Sequence, residues 1–154
     1  MADPRPHTRP LTDGEIALAA SVFGDALDGP SVTVRCAKWW AWQPWWITMA
    51  PDGHIWCHPQ GFTWSADYSR QPLGMRTHFV HELVHCWQVQ VGGHLALRRP
   101  PWARYDYDLR PGRAFGDYGI EQQARMVEDA YRAREKGQAC AAAAVLPFAP
   151  WRGA

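Results

Sequence analysis

Three residues of one predicted helix have the types and the spacing of a metal site. They are His81, Glu82 and His85, in the order His-Glu-x-x-His within the stretch RTHFVHELVHCWQ. Four residues along an α-helix turn through about 400° and rise about 6 Å, so the two histidines project from the same side, one turn apart. Two imidazoles in that relation can bind one zinc ion, each at about 2.0–2.1 Å. The motif therefore predicts a zinc site.

Glu82 follows His81 by about 100° around the helix, which places its carboxylate beside the metal rather than on it. A glutamate in that position can take a proton from a water molecule and later pass it to a leaving amine. The motif is interleaved with apolar residues (FVHELVH), so the helix is expected to be buried. Polar side chains without partners are costly in such a place, which favours a metal site over incidental histidines.

A catalytic zinc site needs a third protein ligand and one open coordination position. The pattern that adds a glycine and a third histidine to the same helix is excluded, because the chain has Gln88 and Val91 there. A second predicted helix, DYGIEQQARMVEDAYR, offers Glu121, with Ala124 three positions later on the same face. A small residue lets this helix approach the motif helix closely, so Glu121 is the predicted third ligand.

Two other residues remain open as the third ligand. Asp117 lies just before the second helix, and His94 could reach the metal if the chain folds back after Gly92-Gly93. Glu128 shares the face of Glu121 but lies roughly 10 Å further along the axis, so only one of the two glutamates can bind the ion. Glu128 is predicted as a supporting or surface carboxylate.

Peptide hydrolysis also needs a hydrogen-bond donor for the developing oxyanion. Tyr118, one turn before the predicted ligand glutamate, is the first candidate. Tyr105, Tyr107 and His94 in the long loop 93–116 are the alternatives. The segment HIWCHP is predicted as an edge strand on which an extended substrate could add, with its two histidines at the rim.

The first predicted element is a helix with clear capping and termination signals. Thr12 is the predicted N-cap and Glu15 completes a capping box, and the helix is expected to end at Gly29-Pro30. SVTVRCA alternates apolar and polar residues as a half-buried strand does. Two short β-favouring runs around Pro51-Asp52-Gly53 predict a hairpin.

Two long helices must then position the site. We predict the motif helix over residues 73–91 and the second helix over 118–136, with no regular structure over 93–116. The predicted fold class is α+β, with a short, twisted, mainly antiparallel sheet beside these helices. The metal would lie between the two helices.

Composition excludes several functions. In 154 residues the formal net charge is +1, from 16 basic and 15 acidic residues, which gives no electrostatic case for nucleic acid. The polar, Pro-rich N-terminal residues predict no signal peptide, and no apolar run suits a membrane span. We expect synthesis in the cytoplasm and a monomer without nucleic-acid or membrane partners.

Cysteines and tryptophans bear on packing. The four cysteines form no Cys-x-x-Cys motif and are expected to be buried free thiols, although Cys36 and Cys57 could pair if their strands are neighbours. Five of the ten tryptophans lie in WWAWQPWW, residues 39–46. We expect these indoles mainly in the core, with some lining a cleft, rather than as an exposed platform.

The segments LTDGEIALAASVFGDALD, HELVHCWQ and DYGIEQQARMVEDAYR together resemble Vgr-related zinc metallopeptidases. These are gluzincin-like domains with His-Glu-x-x-His followed by Glu-x-x-Ala. They occur as small free-standing proteins and as C-terminal domains of VgrG-type spike proteins of type VI secretion. The resemblance covers residues 11–136 and implies His81, His85 and Glu121 as zinc ligands, with Glu82 as catalytic base.

The same resemblance implies a zincin-like fold and a peptide or protein substrate. It also implies delivery by a secretion machine, with that machinery or an immunity protein as partner. The chain departs from the gluzincin pattern at Arg125, where an aspartate often orients a ligand histidine, so Asp117, Asp129 or a backbone carbonyl is expected to do so.

The alternatives to a metallopeptidase are a zinc-containing binding, adaptor or toxin domain with weak catalysis, and a metal-free structural module. The predicted division is a flexible arm (1–10), the metallopeptidase domain (11–138) and a packed tail (139–154).

Overall fold

The computed structural model describes residues 7–93 and 103–153. In these residues the fold is α+β, with one four-stranded sheet and three α-helices, as the sequence predicts. The strands are β1 (His7–Pro10), β2 (Thr33–Cys36), β3 (Thr48–Met49) and β4 (Ile55–Cys57). The helices are α1 (Asp13–Phe23), α2 (Leu73–Gln90) and α3 (Ile120–Glu135). Short 3₁₀ helices span Gly24–Ala26, Gly29–Ser31, Tyr68–Arg70, Phe115–Asp117, Ala141–Val145 and Ala149–Trp151.

The sheet has the order β1-β2-β4-β3. The β1–β2 and β3–β4 pairs are antiparallel and the β2–β4 pair is parallel, so the sheet is mainly antiparallel as predicted. The turn at Pro51-Asp52-Gly53, with Gly53 at φ +84°, folds β3 back along β4. The prediction that HIWCHP forms the edge is therefore wrong. β4 lies between β2 and β3, and β3 is the edge strand on that side of the sheet.

The first helix begins as the sequence predicts. Thr12 is the N-cap of α1, and a capping box joins its side chain and backbone to Glu15. The helix ends earlier than predicted, at Gly24, whose φ of 57° suits glycine and breaks the helical backbone. A 3₁₀ turn then leads towards β2.

Residues 7–10, expected as part of a flexible arm, instead form a strand of the sheet. The physical reason is a buried ion pair. Glu15 is fully buried, and Arg9 donates to its two carboxylate oxygens at 2.8 Å each. Arg9 also donates to the carbonyl of Ser65, so the strand is held from two directions.

Helices α2 and α3 pack face to face and lie within one residue or two of the predicted bounds. Ala124 of α3 is fully buried, and Phe79 and Leu83 of α2 contribute to the same core. The tail also packs on this core. Phe148 lies edge-to-face with Phe23 at 4.9 Å, and Trp151 donates to the carbonyl of Val22 at 2.7 Å.

The tryptophan-rich segment does not enter the core as expected. Trp39, Trp40, Trp42, Trp45 and Trp46 are 43%, 40%, 87%, 50% and 56% exposed. The core positions are taken by aromatic residues from elsewhere in the chain, while residues 37–47 form a loop outside the sheet. The prediction of a mainly buried cluster is therefore wrong.

The four cysteines agree with the expectation of free thiols. Cys36 and Cys57 are direct neighbours on β2 and β4, yet all four cysteines are free thiols. Burial raises the pKa of Cys57 to about 11, so this thiol stays protonated at neutral pH. Among the described residues, none of the helices has the length and apolar character needed to cross a membrane.

Candidate metal centre

Helices α2 and α3 bring three potential ligands to one point. The Nε2 atoms of His81 and His85 each lie 3.3 Å from the same Oε2 of Glu121. The ligand atoms of all three residues lie within 4.8 Å of one another. Ligands at about 2.0–2.1 Å from a tetrahedral zinc ion are about 3.3 Å apart. Two of the three separations between ligand atoms therefore match a tetrahedral zinc ion, and the third is at most 4.8 Å.

The potential ligands are largely removed from solvent. Glu121 is 2% exposed and His85 is 6% exposed, and a carboxylate removed from water needs positive charge close by. The absence of side-chain bulk at Ala124 lets α3 lie close enough to α2 for Glu121 to reach both histidines. The structure thus brings together the three residues predicted as ligands.

The second ring nitrogen of His81 has its own carboxylate. Nδ1 lies 3.1 Å from Oε2 of Glu128, and Arg132 donates to the other oxygen of Glu128 at 2.6 Å. Burial lowers the pKa of His81, but hydrogen bonds to Glu121 and Glu128 outweigh it and raise the pKa to about 10. A carboxylate on the far nitrogen orients a ligand histidine and raises its basicity.

The second ring nitrogen of His85 faces an amide instead. Nδ1 lies 2.8 Å from Oε1 of Gln88, whose Nε2 donates to the Ile120 carbonyl at 3.0 Å and to Oε1 of Gln123 at 2.9 Å. Because the amide oxygen accepts, Nδ1 carries the hydrogen and Nε2 presents its lone pair towards Glu121. Sequence reasoning missed Gln88. Its position one turn after His85 was the available signal.

Glu82 lies beside the three ligands and lines the same cavity, which has a volume of about 240 Å³. It is 5% exposed, and its Oε2 has no hydrogen-bond partner in residues 7–93 and 103–153. An unpartnered buried carboxylate oxygen is unfavourable unless it serves a ligand. The Glu82 carboxylate is therefore available to accept a proton in the cavity.

The cavity has one polar end and apolar walls. His81, Glu82, His85 and Glu121 form the polar end. The walls come from the tryptophan-rich loop, the β3 edge and the segments around Tyr105 and Ile120; the residues are Trp39, Trp40, Thr48, Met49, Ala50, Pro51, Tyr105 and Ile120. The cavity thus combines the potential metal ligands with mainly apolar walls.

Tyr118, the predicted oxyanion donor, does not lie at the cavity. Its hydroxyl donates to the carbonyl of Asp108 and accepts from the N–H of Arg110, and Tyr118 is not among the described residues that line the cavity. Its ring is packed under Arg113, which fixes this orientation. The choice of Tyr118 is therefore corrected: its hydroxyl is used to hold the neighbouring loop.

Of the two alternative donors that the structure describes, Tyr105 is the one that reaches the site. It lines the cavity, and its ring lies 6.2 Å from that of His81. Tyr107 donates its hydroxyl to Asp129 at 2.8 Å. His94 lies outside the described residues.

The aspartates expected near the metal have other partners. Asp117 is exposed and accepts a hydrogen bond from the backbone of Ala114, and Asp129 accepts from Tyr107 and pairs with Arg132. Glu128 and Gln88 contact the ligand histidines in their place. His58, expected at the rim, is 5% exposed.

Comparison with known proteins places this geometry in context. No family model matches the chain. It is 37% identical over 142 residues to the type VI secretion system spike protein VgrG2b of Pseudomonas aeruginosa, and the match covers 86% of this chain but 14% of that protein. The solved structure of the VgrG2b effector domain superposes with a TM-score of 0.76 at 35% identity, covering 86% of this chain and 78% of that one.

Proposed function

The chain belongs to the family of the VgrG2b effector domain, and we propose that it is a zinc-dependent metallopeptidase. The observation that carries the proposal is the convergence of His81, His85 and Glu121 on one point with the unpartnered Glu82 beside it. Two imidazole nitrogens and one carboxylate oxygen form a ligand set that catalytic zinc sites use. The two 3.3 Å separations support tetrahedral geometry.

The chemistry divides between the ion and the side chains. Zinc, when bound, supplies Lewis acidity that lowers the pKa of water and polarises a carbonyl group. Glu82 accepts the proton of the attacking water on Oε2 and delivers it to the amine nitrogen as the peptide bond breaks. Tyr105 donates a hydrogen bond to the oxyanion.

The substrate backbone has a place at the sheet edge. Thr48 and Met49 of β3 line the cavity, and β3 pairs only with β4 within the described sheet. An extended polypeptide can add to such an edge through main-chain hydrogen bonds. We assign the substrate to this edge, with its scissile bond between Glu82 and Tyr105.

The relationship to a spike-protein effector domain supports a place in type VI secretion. We propose that the chain acts after delivery by that machinery, with the machinery and an immunity protein as partners. The matched region spans 78% of the solved effector-domain chain but only 14% of the spike protein. Association with a spike is therefore part of the proposal.

The test compares wild type with Glu82→Gln, both loaded with zinc. The substrate is an unfolded polypeptide, and new termini are identified by mass spectrometry. Loss of the general base is expected to slow hydrolysis by about 10²–10⁴-fold with zinc content unchanged. Glu135→Gln, at the far end of α3, is the matched control and should cleave as wild type does.

Three outcomes separate the possible functions. Cleavage that depends on Glu82 supports the peptidase. Zinc binding without cleavage by wild type would instead indicate the binding, adaptor or toxin domain. Wild-type protein that binds no metal after supplementation would leave a structural module.

A further inference from the structure

An exposed group of aromatic side chains lies outside the cavity. Trp45, Trp46 and Phe62 are 50%, 56% and 66% exposed, and we call them the outer aromatic surface. Trp45 contacts Trp46 and Phe62 edge-to-face, with ring centroids 5.4 Å and 5.7 Å apart. A contiguous apolar surface of this kind in a small protein marks an interaction site.

The loop that carries this surface is held by a buried amide. Gln43 is 3% exposed although Trp42, the residue before it, is 87% exposed. Its Oε1 accepts from the N–H of Trp39 at 2.7 Å, and its Nε2 donates to the carbonyl of Ile47 at 2.8 Å. The loop is thus closed across its base, and its indoles are presented outward by a defined frame.

A second loop supports the first. Thr48 donates to the hydroxyl of Thr63 at 2.6 Å, and Phe62 lies against Trp45. Gly61 packs so tightly that a Cβ there would collide with the carbonyl oxygen of Trp45. The aromatic residues of the two loops therefore form one rigid surface.

The outer aromatic surface continues from the cavity. Trp39 and Trp40 of the same loop line the cavity wall, and the loop runs directly into the edge strand β3. A polypeptide lying along β3 and across the metal centre would leave the cavity near Trp45 and Trp46, which precede that strand by three and two residues. The position of the surface beside the cleft indicates that both are occupied by the same polypeptide.

We propose that the outer aromatic surface binds the polypeptide substrate beyond the scissile bond, and that it selects unfolded chains bearing bulky apolar side chains. The inference rests on the proposed peptidase function. Trp39 and Trp40 would contact residues next to the scissile bond, and the outer surface would contact residues further along.

Charge distinguishes this occupant from a lipid surface. Lys38 is the only lysine, arginine, aspartate or glutamate among residues 37–47 and 58–66. Surfaces that bind anionic membranes combine aromatic residues with several basic ones. An uncharged aromatic surface beside a cleft matches apolar segments of a polypeptide better.

The experiment measures binding separately from turnover. Zinc-loaded Glu82→Gln protein is titrated against two fluorescein-labelled probes, a reduced and alkylated unfolded polypeptide and a six-residue peptide that fills only the cavity. The Trp46→Ala/Phe62→Ala pair is added to this background. We expect the preference for the long probe over the short one to fall about tenfold, because exposed aromatic anchors dominate such interfaces. Val91→Ala, which removes an apolar group that is 61% exposed at the end of α2, is the control and should keep the preference.

The outcomes keep this inference separate from the peptidase proposal. If wild type cleaves nothing but the probe preference falls, the surface binds polypeptide and only the catalytic proposal fails. An unchanged preference overturns the inference. The same variant is also tested for binding to phosphatidylglycerol vesicles. If the probe preference is unchanged but vesicle binding is lost, the surface binds membranes and the inference is overturned.

Discussion

His81 is held by two carboxylates of one helix, with Nε2 3.3 Å from Oε2 of Glu121 and Nδ1 3.1 Å from Oε2 of Glu128. The two glutamates lie two turns apart on the same face of α3. Only Glu121 reaches the point where both histidines meet, so Glu128 orients the ring instead. Arg132 neutralises and fixes Glu128 in that position.

Replacing Glu128 with alanine should weaken zinc binding without removing it. The far nitrogen of His81 would lose its partner, and such losses lower metal affinity about 10–100-fold. The affinity is measured by competition with a chromophoric chelator. Glu135→Ala on the same helix is the control, because its partner is Arg76 and not a ligand. Equal affinity in wild type and Glu128→Ala would contradict the assigned role.

Replacing Gln88 with alanine should affect both metal binding and stability. His85 would lose the acceptor on Nδ1, and the buried amide of Gln123 would lose one of its partners. An unsatisfied buried polar group costs about 1–3 kcal/mol, which urea unfolding of the metal-free protein measures. Gln90→Ala, an exposed amide on the same helix, should change zinc affinity little. If Gln90→Ala matches Gln88→Ala, the contact with His85 has no special role.

Replacing Ala124 with leucine should separate the two helices at the metal centre. The residue is fully buried on the side of α3 that carries Glu121, and inserting extra methylene groups into a packed core costs about 1–3 kcal/mol. Because Glu121 reaches the histidines through this close packing, zinc affinity should fall together with the free energy of unfolding. Ala133→Leu, at a half-buried position further along α3, should lower affinity much less. Normal affinity in Ala124→Leu would show that helix spacing does not set the site.

Asp67 should make the fold sensitive to acid. Hydrogen bonds from Ser69, with a further one from Thr12, lower the pKa of Asp67 despite the opposing effect of burial. The ionised form is therefore favoured on folding. Its contribution of about 1 kcal/mol is present above pH about 4 and is lost as the pH falls through the lowered pKa.

Asp67→Asn tests this by urea unfolding at several pH values. The variant should be less stable than wild type at pH 6, and the difference should shrink towards pH 2. Asp25→Asn, at an exposed position after α1, should follow wild type throughout. A stability difference that is constant with pH would contradict the ionisation argument.

Local sequence signals predicted the parts of the fold that depend on neighbouring residues. The capping box of Thr12 and Glu15, and the turn at Pro51-Asp52-Gly53, need only a few adjacent residues. The spacing of His81 and His85 is likewise set by one helix. These features could be read from the sequence because their geometry is fixed locally.

Features that depend on distant partners could not be read in this way. The strand at His7–Pro10 exists because Arg9 meets a buried glutamate and the Ser65 carbonyl. The hydroxyl of Tyr118 is held by the loop around Asp108. The exposure of the tryptophan-rich loop follows from the frame built by Gln43 and the second loop. In each case tertiary contacts outweigh local preference.

Zinc content per chain shows whether His81, His85 and Glu121 together hold one zinc ion. Elemental analysis would compare wild type, His81→Ala, Glu121→Ala and the control Glu135→Ala after identical zinc loading and gel filtration. We expect one zinc in wild type and in the control, and none in the other two. Zinc retained by Glu121→Ala, or absent from wild type, would show that these three residues do not form the site.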